Sequence, residues 1–266
     1  MSATTGNILI TGAASGLGQA LAQRLARTAQ HLWLWDLNEQ GLAETASGCA
    51  GVSVQAQRMD ITDGKAVEAA FQRMAQDGRV PDLVYHAAGI LQTGSIWEID
   101  GEQCRRIMDV NYQGTVHVVM AASRVMPAGG RIICMGSVAG IKGLPEFASY
   151  CASKFAVVGF CEAVHGELAS RGISLSVVCP PAIDTPMVRN LTQRPALYDI
   201  FPFAPKDVVV TRILEAVEDR DAFLVLVDRQ SALLHKVNGL FPGTTSRVLG
   251  WLVERRKRRA SVATNH

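Results

Sequence analysis

The 266-residue sequence has little of what would mark it as disordered, fibrous, disulfide-stapled or membrane-spanning. Charged residues make up only 19% of it against 48% apolar, so there is side chain enough for a sizeable core, and a single α/β core of this length is ordinary. The longest apolar runs, such as Phe223 to Val227, fall far short of the ~20 residues that cross a bilayer. No charged, apolar, small-residue signal pattern opens the chain, and the expectation is a cytoplasmic protein. The six cysteines, Cys49, Cys104, Cys134, Cys151, Cys161 and Cys179, form no C-x-x-C pair and no cluster with histidine. That argues for buried free thiols and against a zinc site or a disulfide framework, and no metal is expected. Excess charge is also scarce: Arg255, Arg256, Lys257, Arg258 and Arg259 supply +5 of a formal net +2, leaving the rest at −3. The body is therefore not a nucleic-acid-binding surface.

What is present is alternation. Buried-strand patterns at 7–11, 32–36, 52–57, 83–86, 131–135, 174–179 and 223–227 alternate with helical patterns near 19–28, 39–46, 63–76, 102–126, 149–170 and 207–218. This predicts an α/β, Rossmann-like, doubly wound parallel sheet of seven strands with helices on both faces, in one domain over 1–228. Residues 182–206 are irregular and strongly apolar, with Met187, Leu191, Leu197, Tyr198, Ile200, Phe201 and Phe203, and such a loop needs a cover or a ligand. A helical extension with a basic tail is expected over 229–266.

After the first strand comes Gly12-Ala-Ala-Ser-Gly16-Leu-Gly18. Glycines there let backbone approach a pyrophosphate, whose charge the next helix favours through its free amides and dipole. The spacing differs from the usual G-x-G-x-x-G, and no Lys-Ser/Thr follows to make a nucleoside-triphosphate loop. Asp36 closes the second strand, where a carboxylate accepts hydrogen bonds from adenosine ribose hydroxyls and repels a 2′-phosphate, unless it merely caps the following helix. No Arg or Lys stands at position 37 or between Gly12 and Gly18, so NAD is favoured over NADP.

Tyr150-Cys-Ala-Ser-Lys154 places a phenol and an ammonium one helical turn apart, so that the cation can pull the phenol below its usual pKa of about 10 and make it a proton shuttle. Ser137, just after the fifth strand, is placed to hold a substrate oxygen beside that phenol. With these residues the chain resembles the short-chain dehydrogenase/reductase family from about residue 7 to 227. The resemblance rests on Thr11-Gly-Ala-Ala-Ser-Gly-Leu-Gly18, Asp60-Ile61, Asn111, Ser137, Tyr150 and Lys154. It implies a catalytic set in which Tyr150 is acid/base, Ser137 orients the reacting oxygen, Lys154 holds the nicotinamide ribose and tunes Tyr150, and Asn111 holds a water of the proton relay. It further implies NAD contacts from Gly12, Ser15, Gly16, Leu17, Gly18, Asp36, Asp60, Ile61, Ala88 and Gly89, with Ile183 and Thr185 holding the carboxamide. His86 stands where the family usually has Asn and reads as a satisfied structural histidine. Pro181 stands where the family usually has Gly, removing an amide donor at the nicotinamide pocket.

The expected reaction is hydride transfer between NAD(H) and an apolar secondary alcohol or ketone. Alternatives are a reductase of carrier-linked 3-oxoacyl groups and a dinucleotide-binding regulator without catalysis. The resemblance implies a homodimer or homotetramer paired through helices 102–126 and 149–170. In the tail, Val248, Trp251 and Leu252 recur at helical spacing before the basic run. That face either docks on the protein or a neighbouring subunit and leaves the arginines in solvent, which is favoured, or lies in a membrane surface.

Overall fold

The computed structural model describes residues 6–264; residues 1–5 and 265–266, the outer ends of the catalytic region and of the extension expected above, lie outside it. All seven expected strands form: β1 (Asn7–Thr11), β2 (His31–Asp36), β3 (Ser53–Arg58), β4 (Leu83–His86), β5 (Arg131–Met135), β6 (Ser174–Cys179) and β7 (Leu224–Leu226). They pair in parallel in the order β3-β2-β1-β4-β5-β6-β7. The apolar run of β1 explains its central place, because a strand with helices on both faces buries every side chain and its alternate residues serve opposite layers. Leu9 joins Trp33, Phe71, Val84 and Ile132 under α3 (Gly64–Gln76), α5 (Gly114–Val125) and α6 (Ala148–Ser170). Ile8 and Ile10 join Leu21, Leu32, Leu34 and Ile133 under α1 (Gly16–Leu25), α2 (Glu39–Ser47) and α8 (Lys206–Glu218). The chain winds outward from β1 to β3 and then returns to place β4 on the other side of β1. The loops leaving β1 and β4 therefore part at the carboxyl edge, which is where such sheets open a ligand crevice.

Two expectations change. The single helix expected over 102–126 is α4 (Gly101–Met108) and α5 separated by a wide π turn over Asp109–Gln113. Apolar periodicity runs through both pieces and does not register one extra residue; the turn is held by the side-chain bonds of Asn111, and such bulges concentrate at functional sites. The tail also docks by a different face than expected. After α7 (Pro186–Arg189), α9 (Arg229–Leu240) and α10 (Pro242–Thr264) complete the chain, and α10 buries Thr245, Leu249 and Val253 at four-residue spacing. Leu249 and Val253 pack on Ala139, Phe147, Cys151 and Leu197, whereas Val248 and Trp251 of the expected face are 50% and 57% exposed. Two adjacent apolar stripes run along this helix, and the protein groove decides between them. Nor are all the tail cations in solvent: Arg256 pairs with Asp199 at 3.2 Å and Lys257 with Glu146 at 2.9 Å.

Candidate active site

Backbone geometry builds the crevice first. Gly12 leaves β1 at φ +68°, in the left-handed region that glycine adopts freely, and a Cβ there would stand 2.7 Å from the Ala88 nitrogen at the end of β4. At Gly18 a Cβ would meet the Gly12 carbonyl oxygen at 2.1 Å. A side chain at Gly12 would collide with the chain leaving β4, and one at Gly18 would push α1 off the turn after β1. Ser15 precedes α1 without a side-chain cap bond, and the first turn of α1 holds no acidic residue. Its leading amides and positive dipole end are thus uncompensated where Ser15, Gly16, Leu17 and Gly18 line a cavity of about 760 Å³. This is the cradle a pyrophosphate requires.

Asp36 lines the same cavity and is held by two amides: Ala14 N–H donates to its Oδ2 at 3.1 Å and Asn38 N–H to its Oδ1 at 3.0 Å. The cap of α2 is Asn38, whose Oδ1 accepts from Gly41 N–H at 3.1 Å, so capping does not account for Asp36. Asp60 is fixed by Thr62, which donates from its amide at 2.9 Å and its hydroxyl at 2.7 Å to Oδ1. Asp60 and Ile61 line the cavity, as do Ala88, Gly89, Ile183 and Thr185.

Ser137, Tyr150 and Lys154 meet at the wall of this cavity. Ser137 follows β5 and accepts the Ala139 amide at 3.1 Å, starting a short 3₁₀ turn over Val138–Gly140. Tyr150 and Lys154 lie one turn apart on α6. Burial pushes the Tyr150 phenol up to about 12, with a hydrogen bond to Ser137 pulling the other way. Burial pulls Lys154 down to about 8; its Nζ donates to the Met135 carbonyl at 2.7 Å and stands 5.8 Å from the centre of the Tyr150 ring. The expected drop of the phenol below its usual range is therefore not what the structure has. Desolvation outweighs the Ser137 hydrogen bond, while the Lys154 ammonium is turned to a backbone oxygen, and Tyr150 is held as a neutral acid.

Asn111 stands apart from the other predicted residues, behind the cavity wall. It is 1% exposed; its Oδ1 accepts from Ile90 N–H at 2.8 Å, while its Nδ2 donates to the Ile90 carbonyl and to Ser153 Oγ, both at 2.9 Å. It thereby ties the loop after β4 to α6 one residue before Lys154. His86 is buried with both ring nitrogens paired, Nδ1 to Thr11 Oγ1 at 2.8 Å and Nε2 to Thr115 Oγ1 at 3.0 Å. Since Thr115 donates its own hydroxyl proton to the Asn111 carbonyl, His86 donates from Nε2 and accepts at Nδ1. Burial, then the nearby Lys154 charge, depresses its pKa to about 3, so it stays neutral and structural.

Beyond Tyr150 the cavity wall turns apolar, with Leu144, Phe147, Leu197, Tyr198, Phe203 and Leu249. Tyr198 stands edge-on to Phe147 at 5.4 Å and tilted against Phe203 at 5.2 Å. Leu144 and Phe147 do not stand out in the sequence, because each reads as ordinary core until the loop and α10, which brings Leu249, close around them. Glu146 was also missed. It is the one non-glycine among the described residues with positive φ, +70°, and it clamps three segments. Its carbonyl accepts from Gly94 N–H at 2.9 Å, its Oε2 from Ala196 N–H at 3.1 Å, and its Oε1 pairs with Lys257. A glutamate in a loop carries no sequence signal for such a role.

Comparison with known proteins agrees with this architecture. The sequence profile of the short chain dehydrogenase family matches residues 6–196. Human epidermal retinol dehydrogenase 2 is 31% identical over 227 residues, covering 82% of this chain and 73% of that one. Mycobacterial relatives, each a probable oxidoreductase, are 33% identical over 186 residues, but the chain spans only 31% of their length. A short-chain dehydrogenase of Burkholderia cenocepacia solved with NADP has a TM-score of 0.79 at 27% identity, covering 94% of this chain and 99% of that one. One from Burkholderia phymatum solved with NAD has a TM-score of 0.76 at 26% identity, covering 90% and 96%.

Proposed function

The chain belongs to the short-chain dehydrogenase/reductase family of oxidoreductases, and on that premise we propose that it moves hydride between NAD(H) and an apolar secondary alcohol or ketone. Bound NAD supplies the carbon that accepts or gives the hydride. Tyr150 gives its proton to the carbonyl oxygen in reduction and takes the hydroxyl proton in oxidation. Ser137 holds that oxygen by a hydrogen bond, Lys154 holds the nicotinamide ribose and sets the charge beside the phenol, and Asn111 supports the proton path by fixing Ile90 and Ser153. Gly12, Ser15, Gly16, Leu17 and Gly18 hold the pyrophosphate, Asp36 the adenosine ribose, Asp60 and Ile61 the adenine, Ala88 and Gly89 the adjoining backbone, and Ile183 and Thr185 the carboxamide. The catalytic unit is 1–228 with its substrate loop 182–206, and the extension 229–266 closes the apolar end through Leu234 and Leu249.

The observation that carries the substrate class is the wall beside Tyr150, where six apolar or aromatic side chains converge and the only hydroxyl among them belongs to Tyr198. Purified protein assayed against alcohols and ketones of graded apolar size, with NAD and NADP, tests the reading. Catalytic efficiency is expected to rise with apolar substituents and to fall for charged ones. Turnover of carrier-linked 3-oxoacyl groups alone, or none at all, overturns it.

NAD is expected to be preferred at least tenfold, because Asp36 repels a 2′-phosphate. Asp36→Ala is expected to shift the ratio of efficiencies toward NADP by about tenfold, ~1.4 kcal/mol. An unchanged ratio means that Asp36 does not face the ribose.

Met120 on α5 and Phe155 on α6 are each 45% exposed, on the helices proposed to pair copies of the chain into a dimer or tetramer. Light scattering is expected to show that assembly at micromolar concentration, and Phe155→Glu to dissociate it. A monomeric parent protein refutes the pairing.

A further inference from the structure

We infer that the outer face of α9 and α10 docks on an anionic lipid surface. Leu233, Val237 and Leu240 recur at four- and three-residue spacing along one side of α9, and all three are exposed, Leu240 at 75%. Phe241, at the corner into α10, is 59% exposed, and on α10 Val248 and Trp251 are exposed at three-residue spacing. Side chains of this size left in solvent on one helical pair mark a contact surface.

Charge identifies the occupant. Residues 229–259 contain eight cations and Glu254 as their single anion, net +7 in a chain whose total is +2, so the remainder is net −5. Arg256 and Lys257 are taken up by Asp199 and Glu146, whereas Arg255 lies over the Trp251 ring, 5.1 Å from its centre, on the stripe that carries the apolar side chains. With those two cations neutralised, a second copy applied face to face would still set +5 against +5. An anionic lipid surface complements the charge and takes the apolar side chains together. Among the described residues no helix is long and apolar enough to cross a membrane, so the contact is interfacial.

The same two helices wall the cavity, with Leu234 and Leu249 facing in beside Leu233 and Val248 facing out. A docked molecule would hold its apolar cavity against the lipid, from which an apolar alcohol or ketone could pass without crossing water. That access route rests on the substrate reading above; the docking does not.

The test is sedimentation of the full chain with phosphatidylcholine vesicles, with and without phosphatidylserine, at low and high salt. Binding is expected to the anionic vesicles at low salt and to be at least tenfold weaker on neutral vesicles or at high salt. Phe241→Asp with Trp251→Asp is expected to lower binding at least tenfold with the melting temperature unchanged. Arg255→Gln with Arg259→Gln is expected to lower it roughly fivefold for each cation removed. The readout is independent of turnover, so loss of the dehydrogenase reading would leave it standing. Failure to sediment with anionic vesicles at low salt overturns the inference, as does binding indifferent to both pairs of substitutions. Dissociation of an oligomer by the apolar pair would overturn it too, by giving the face to a second copy.

Discussion

Replacing Tyr150 by Phe is expected to lower turnover at least ~100-fold and to leave the affinity for the dinucleotide within about twofold. The substitution removes one oxygen. The phenol lines the cavity next to Ser137, while His86 is neutral and enclosed by Thr11 and Thr115, Lys154 is engaged with the Met135 carbonyl, and burial raises the Tyr198 phenol as well. Because burial raises the phenol to about 12, it is protonated throughout the neutral range. Ketone reduction, which consumes that proton, is expected to be nearly flat from about pH 6 to 8. Alcohol oxidation needs the phenolate and is expected to climb as pH rises toward the phenol's own titration. Steady-state rates in both directions across this range, with dinucleotide binding followed by fluorescence, check both parts. Normal turnover in the Phe variant would remove Tyr150 from the chemistry.

Lys154→Met is expected to cost a comparable factor in turnover, and its stability should change with pH in a defined direction. Lys154 is 6% exposed and its pKa falls from 10.5 to about 8 on folding. Between those values the unfolded chain binds a proton that the folded chain has released, so the lysine's contribution to stability rises as pH rises through that window. Relative to the Met variant, the parent protein is expected to gain about 2 kcal/mol between about pH 8 and 10. Near neutral pH the variant loses the bond to the Met135 carbonyl and also sheds a buried cation, two effects of opposite sign of which the desolvation is the larger. Denaturant titrations of both proteins at the two pH values measure the difference. A difference that does not move with pH would mean that Lys154 titrates normally.

The sheet was legible in the sequence because its signal is local. A strand covered on both faces is a short unbroken apolar run, as in Ile8-Leu9-Ile10, and alternation with helical spacing permits few topologies. The glycine turn was legible for a similar reason, since Gly12 and Gly18 answer to steric limits that act over a few residues. Tyr150 and Lys154 share a helix, so their spacing alone joins them. The protonation state of that pair was not legible: the four-residue spacing brings the ammonium near the phenol, but the depth of burial and the Met135 carbonyl decide where each proton sits.

The sequence by itself determined the parallel sheet, the crevice at the end of β1 and the residues that gather around it, because those follow from contacts between near neighbours and from the reach of one helical turn. Tertiary structure alone decided three things. It introduced the π turn that carries Asn111 to Ile90, it chose Thr245, Leu249 and Val253 as the docking stripe of α10, and it held Glu146 at φ +70° between Gly94, Ala196 and Lys257. Each joins segments from about twenty to more than a hundred residues apart, and hydrophobic periodicity carries no information about partners at that distance. The apolar end of the cavity belongs with these, since Phe147, Leu197 and Leu249 become one wall only when three separate segments pack together.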